Sequence, residues 1–201
     1  MPDMRHLIKK TVTFFFSKIK PQNETKELFG SISIEDEVGI KKAIELAEKF
    51  DGPVIEIGVL FGHTTNLIAT FAEKTKKIIA VDNFKWNPFG LSQEIHKQFT
   101  ERTLRYIIQN RNTELFPADS ATFFESYKGP TPSMIFIDAD HSYEAVKKEI
   151  LSALRVGIQV ISGHDFSNQH IDVQKAVKEI FGNKFEVFGT VWIAKLSDAI
   201  V

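Results

Sequence analysis

The chain predicts an α/β fold in which a mostly parallel sheet carries helices on both faces and ends in an antiparallel hairpin. Three observations predict it. The stretch Val54 to Thr65, VIEIGVLFGHTT, runs from an apolar strand through a glycine-spaced turn into the helically spaced apolar residues of Asn66 to Phe71. Further short apolar runs then alternate with helical segments, the pattern of strand–helix–strand crossovers. Beyond the last helix, Lys184 to Val187 and Thr190 to Lys195 read as two strands joined near Gly189.

A length of 201 residues suits one α/β domain with a sizeable core. We expect that domain over residues 22–201, preceded by an amphipathic helix over residues 1–21. A formal charge of −1 gives no general attraction to nucleic acid, so a small-molecule partner is expected. The absence of cysteine excludes disulfides, thiolate metal ligands and a cysteine nucleophile, and fits a cytoplasmic protein. No apolar run reaches the roughly 18 residues of a membrane span.

The first twenty residues are basic, with Arg5, Lys9, Lys10, Lys18 and Lys20 against Asp3, and Met4, Ile8, Val12, Phe15, Phe16 and Ile19 share one helical face. Three readings stand, in order of preference: packing on the domain or on a second copy as a homodimer, lying on an anionic membrane surface, or a frayed tail. Lys9 and Lys10 interrupt the apolar stretch and no small-residue cleavage site follows, against a secretory signal. Pro21 to Thr25 reads as a linker, and Ile32 to Lys49 as a helix started by Ser33 with Glu35 and Asp36 in its first turn.

After the glycine loop and its helix, Lys77 to Val81 is a second strand ending in Asp82 and Asn83. Phe84 to Leu91 is an aromatic loop, read as a lid, a substrate wall or a plain surface loop. Ser92 to Arg111 is a helix with Ile95, Phe99, Leu104, Ile107 and Ile108 inward. Glu114 to Pro117 is a third strand, followed by Ala118-Asp119-Ser120 opening a short helix. Met134 begins a fourth strand that ends in Asp138, Asp140 and His141 before a helix over Glu144 to Leu154. The run Val160 to Phe166 places His164 and Asp165 at the end of a fifth strand. Ile171 to Phe181 is a helix, Gly182-Asn183 a turn, and Trp192 a core residue.

The chemistry-bearing residues fall at the carboxyl ends of these strands, where open α/β sheets bind ligands. Gly58 and Gly62 allow close backbone approach, and the helix start at Thr64 and Thr65 offers free N–H groups. The spacing is E-x-G-x-x-x-G, not G-x-G-x-x-G. It puts Glu56 beside the loop, which disfavours a pyrophosphate, and with it a nicotinamide cofactor, and suits a cationic ligand. Asp82, 24 residues after Gly58, is placed for ribose hydroxyls, with a turn cap as the plainer reading. Asp119 and Ser120 are either a helix cap or an adenine contact. Adjacent parallel strands lie about 4.8 Å apart, so Asp138 and Asp165 can reach one cation, with His164 or Asn168 as a third ligand. Oxygen ligands without cysteine point to Mg²⁺ or Ca²⁺. His6, His63, His96 and His170 have no constellation around them and receive no role.

The E-x-G-x-x-x-G loop resembles motif I of class I S-adenosylmethionine (SAM)-dependent methyltransferases. I-D-A-D-H-S-Y-E from Ile137 and G-H-D-F from Gly163 resemble the metal-assisted small-molecule O-methyltransferases of the catechol and caffeoyl-CoA type. The likeness is closer still to the branch acting on sugars and antibiotics. It spans about Glu35 to Leu196 and implies a Rossmann-like seven-stranded sheet. SAM is implied at Glu56, Gly58, Gly62, Thr64, Thr65, Asp82, Asn83, Asp119 and Ser120, and a divalent metal at Asp138 and Asp165. The sugar branch implies His141 as the base, expected to be neutral at cytoplasmic pH. Phe166 stands where the plant and animal enzymes have Asn, and His164 where the sugar branch often has an acid. The implied activity is O-methylation of a sugar, glycan precursor or natural product. Rivals are N-methylation without metal and a non-catalytic SAM-binding module acting through the N-terminal helix on a partner or membrane. Asn87-Pro88-Phe89 is similar to a nucleic-acid amino-methyltransferase motif but follows the second strand instead of the fourth.

Overall fold

A computed structural model describes residues 32–196; the expected N-terminal helix and linker lie outside the described residues. Helix α1 (Ile34–Ala47) begins at Ser33, whose hydroxyl accepts the Asp36 N–H while the Asp36 carboxylate accepts the Ser33 N–H. There follow β1 (Val54–Ile57), α2 (His63–Phe71), β2 (Ile78–Val81), α3 (Gln93–Asn110), β3 (Thr113–Phe116) and α4 (Ser120–Ser126). The second half is β4 (Met134–Ile137), α5 (Tyr143–Arg155), β5 (Val160–Gly163), α6 (Ile171–Phe181), β6 (Glu186–Phe188) and β7 (Val191–Lys195).

The strands lie in the order β3-β2-β1-β4-β5-β7-β6. The first five are parallel, and β7 runs antiparallel to both β5 and β6, as the terminal hairpin signal predicts. Strand order reverses between β1 and β4, which opens a crevice at their carboxyl ends. Every residue of β1, β2, β4 and β5 is buried, because helices cover both faces. One face packs Ile40, Ile44, Leu67 and Phe136. The other packs Ile55, Ile135, Ile150 and Trp192.

Helix α3 departs from its expected inward face. Leu104 and Ile107 are buried, but Ile95 and Ile108 are 37% and 36% exposed, and His96 and Thr100 are buried in their stead. The reason is polar. The Leu60 carbonyl faces this helix and is met by the Thr100 hydroxyl at 2.6 Å and by His96 Nε2 at 2.8 Å; an apolar face there would leave it without a partner. Among the described residues no helix is long and apolar enough to cross a membrane.

Candidate active site

Sheet register builds the site. Ile57 pairs with Val81 on one side and Ile137 on the other, and Ile137 pairs with Gly163. The residues one step beyond, Gly58, Asp82, Asp138 and His164, therefore emerge side by side. Their backbones are stitched together: the N–H groups of Gly58, Asp138 and His164 donate to Val81, Ile57 and Ile137 at 2.9, 2.8 and 3.1 Å. A cleft of about 800 Å³ opens over this edge, and Gly58, Thr64, Asp82, Asn83, Asp119 and Ser120 line it as expected for a ligand site.

Asp82 shapes the loops as well as lining the cleft. Its Oδ2 accepts the N–H groups of Val59 and Leu60 at 2.8 and 2.9 Å, and its Oδ1 accepts that of Phe84 at 2.6 Å. Leu60 and Phe84 both sit in the left-handed region, with φ of 50° and 57°. The ring nitrogens of His96 face the carbonyls of these same two residues, at 2.8 and 3.2 Å. His96 thus clamps the two loops that flank the cleft, a role no sequence signal marked beyond a polar pair, His96 and Thr100, one helical turn apart. Asp82→Ala is expected to weaken SAM binding by about 10²-fold, since it removes charge-assisted hydrogen bonds worth about 1.5–3 kcal/mol each to the backbone. Calorimetric titration with SAM checks this; unchanged affinity would remove Asp82 from the cofactor site.

Glu56, Thr65 and Gly62, expected at the cofactor, stand behind the cleft wall. Glu56 is fully buried and accepts the Thr65 hydroxyl at 2.5 Å, and burial holds its carboxyl well above the usual range, with Thr65 acting against that. Its carboxyl faces inward, and burial disfavours its charge, which weakens the electrostatic argument drawn from the motif. At Gly62, φ is 87° and a Cβ would come within 2.5 Å of Leu104, so this glycine lets α2 approach α3. Asp119 caps α4 by accepting the Thr122 N–H at 2.8 Å.

Two lining residues, His63 and Glu149, carried no sequence signal, whereas Trp86 belongs to the aromatic loop read as a lid, a substrate wall or a surface loop. His63 opens α2 at the cleft, and burial lowers its pKa, favouring the neutral imidazole. Trp86, 70% exposed, forms an aromatic wall. Glu149 on α5 is buried, and burial pushes it up to about 7 against the opposing pull of Ser120. In the sequence it reads as one more helical acid, because its burial comes from α4 packing over it.

Across from the glycine loop lies a cluster of acids and imidazoles. His141 Nε2 is 2.8 Å from Asp165 Oδ2 and 3.7 Å from Asp138 Oδ1. His164 Nδ1 is 3.5 Å from Asp165 Oδ2 and 3.7 Å from Asp138 Oδ2, while its Nε2 is 3.5 Å from Asp36 Oδ2. His170 Nε2 approaches Asp165 Oδ1 at 3.6 Å, and its ring lies 4.5 Å from that of His141. Asp36 is fixed by the backbone N–H and hydroxyl of Thr190, at 2.6 and 3.0 Å. Asp165 itself has φ 61°, a strained setting of the kind that clusters at functional sites. Asn168 stays outside the cluster and accepts from Gln174, and Phe166 packs on Phe185.

Pairing with Asp138 and Asp165 pushes His141 up to about 10. His164 also rises to about 10, because the same two carboxylates outweigh the opposing effect of burial. Asp165 is held well below the carboxylate range by His141 and His164 despite burial. Against the neutral ring expected from the sequence, pairing with both carboxylates favours the imidazolium of His141 as long as those carboxylates are free to pair. Raised imidazole values stabilise the fold fully below the unfolded value of about 6.5 and lose that contribution as pH climbs toward about 10. In EDTA, the melting temperature is expected to fall over that window, and to fall less in His164→Gln. A flat profile in the parent protein would show that the pairs do not form.

The donors fit a divalent cation. His164 Nδ1 is buried without a hydrogen-bond partner, and its 3.5 and 3.7 Å separations from the carboxylate oxygens are too long for good hydrogen bonds. They are close to the edges of a coordination shell, where ligands about 2.0–2.2 Å from an ion stand about 3.0–3.6 Å apart. Asp138, His164 and Asp165 would hold the ion, with their donor atoms all within 4.8 Å of one another.

The profile of the methyltransferase domain family matches residues 55–165. No protein of curated function matches the chain in sequence. Among solved structures, the cofactor-bound protein Rv0187 from MTB superposes with a TM-score of 0.63 at 15% identity, over 92% of this chain and 95% of that one. CalS11, a calicheamicin methyltransferase, gives 0.63 at 11% identity over 97% and 93%. An O-methyltransferase from Bacillus cereus in complex with SAH gives 0.61 at 15% identity over 92% and 95%. These likenesses agree with the seven-stranded order described above. With the family profile spanning more than half of its length, the chain belongs to the methyltransferase domain family and is a class I SAM-dependent methyltransferase.

Proposed function

We propose that the chain transfers the methyl group of SAM to a hydroxyl of a small molecule, a sugar, glycan precursor or natural product, at a divalent cation held by Asp138 and Asp165. The observation that carries this reading is the juxtaposition of the acid–imidazole cluster with the glycine loop in one cleft. In the transfer, the hydroxyl oxygen forms a bond to the methyl carbon, the C–S pair stays on sulfur, and the hydroxyl proton must leave. The protein therefore has mainly to align oxygen, carbon and sulfur and to accept that proton. A bound cation supplies charge that orients and acidifies the hydroxyl and competes with His141 for the two carboxylates. His141, at the cleft and half-exposed, is the residue placed to take the proton once it is neutral.

Two features support a glycosyl acceptor. Trp86 presents an apolar aromatic face at the cleft, and the structural neighbour CalS11 is a TDP-rhamnose 3'-O-methyltransferase. The test is calorimetric titration with SAM, followed by methyl-transfer assays on sugars, sugar nucleotides and vicinal diols with and without EDTA. Micromolar SAM binding and EDTA-sensitive transfer are expected. Transfer indifferent to EDTA sinks the cation; absence of SAM binding sinks the whole reading.

A further inference from the structure

We propose that the cation site is nitrogen-bearing, built from Asp138, His164 Nδ1 and Asp165, and that it takes a first-row transition ion, borderline Co²⁺ or Zn²⁺ above all and Mn²⁺ less so, in preference to Mg²⁺. The inference rests on the cation of the proposed function and names its chemical class. Four observations carry it. His164 is 3% exposed, so its Nδ1 faces the two carboxylates and not water. That nitrogen has no hydrogen-bond partner, which is costly for a buried polar atom unless something else completes it. Its other nitrogen, likewise without a hydrogen-bond partner, stands 3.5 Å from Asp36 Oδ2, whose negative charge favours a proton on Nε2 and leaves the Nδ1 lone pair for an ion. Asp36 in turn is anchored by Thr190 from the far end of the chain, so the imidazole is aimed by the fold and not by a local turn.

The ion's class follows from these donors. Mg²⁺ prefers an oxygen shell and gives up its waters reluctantly, whereas imidazole suits the later first-row ions, whose affinities rise along the series from Mn²⁺. A shell in which one wall is a dry imidazole penalises Mg²⁺ and rewards the others. Asp36 acts through His164 and is a positioning residue.

A second grouping, His141, Asp165 and His170, shares Asp165 but is less buried, and in it His141 Nε2 already lies 2.8 Å from Asp165 Oδ2. Variants separate the two. The intact protein, stripped with chelator, is titrated calorimetrically with Mn²⁺, Co²⁺ and Mg²⁺, and the Mn²⁺ form is read by pulsed electron paramagnetic resonance for coupling to imidazole nitrogen. We expect Mn²⁺ and Co²⁺ to bind about tenfold or more tighter than Mg²⁺. Nitrogen coupling is expected in the parent and in His170→Ala, and its loss in His164→Gln. Should His164→Gln fail to fold, the coupling and the ion ranking of the parent protein still decide. Mg²⁺ binding as tightly as Mn²⁺, Mn²⁺ without nitrogen coupling, or coupling that survives in His164→Gln would each overturn the inference. Of these, an all-oxygen shell that supports Mg²⁺-dependent transfer leaves the proposed function standing. Absence of any ion binding alongside normal SAM binding overturns this inference and removes the cation from that function too.

Discussion

Asp165→Asn is expected to lower methyl transfer by about 10²–10⁴-fold, the range over which positioned acid–base groups contribute, while leaving the protein folded. Asp165 is the hub of the cluster, within 2.8, 3.5 and 3.6 Å of His141, His164 and His170. Asparagine removes the negative charge but suits the backbone, since Asn is among the few residues that tolerate the left-handed region Asp165 occupies at φ 61°. Two readouts accompany the rate. Transfer loses its dependence on added divalent ion, and the His141 imidazole, left with Asp138 at 3.7 Å, titrates below the value near 10 that both carboxylates impose. Steady-state kinetics with EDTA and an NMR titration of the histidine rings check these. Near-wild-type transfer that still depends on the ion would place the cation elsewhere.

Gly58→Ala is expected to destabilise the fold by about 2–6 kcal/mol, combining a left-handed non-glycine backbone with overpacking of the interior. Gly58 has φ 91°, and a Cβ there would overlap the carbonyl group of Asp138 and crowd the Cα of Ala139. Those atoms are backbone and cannot swing aside, so the end of β4 must move and carry Asp138 with it. For a domain of this size each kcal/mol lowers the melting temperature by about 2–4 °C, so the drop falls in the range of about 4–24 °C. Gly90→Ala is the internal control: its φ is 61° but nothing lies within 4 Å of the added carbon, so only the backbone cost of about 1–3 kcal/mol applies. Thermal melts of the two variants test the contrast. Equal losses would mean that close approach to β4 is not what requires a glycine at position 58.

The expected and observed elements agree in kind throughout the described residues, and their ends differ by at most three positions. The site was legible where an acid or imidazole ends an apolar strand. Asp82, Asp138, His141, His164 and Asp165 all stand at or just past such strand ends in the sequence, and the register of the sheet brings four of the strand ends together. The inward face of α3 was misread because periodicity counts apolar residues. It cannot report that a carbonyl, that of Leu60, waits at the other side of the contact.

What the sequence decided is therefore the order of strands, loops and helices and the side of the sheet on which the chemistry stands. Both follow from local causes: burial of short apolar runs, the conformational needs of glycine, and the absence of any packing reason for a buried strand to end in acids. What the tertiary structure alone decided is which polar groups meet. Asp36 stands 128 positions before His164 in the chain, and His96 stands 36 positions from Leu60, yet each lies against its partner in the fold. Glu149 and His170 likewise join the cleft and the cluster only once α5 and α6 are packed. Charge state belongs to the same level. His141 is an ordinary imidazole by sequence, and its charged form is favoured only where two carboxylates from adjacent strands converge on it. Such couplings fall off steeply with distance, and those distances exist only in the folded chain.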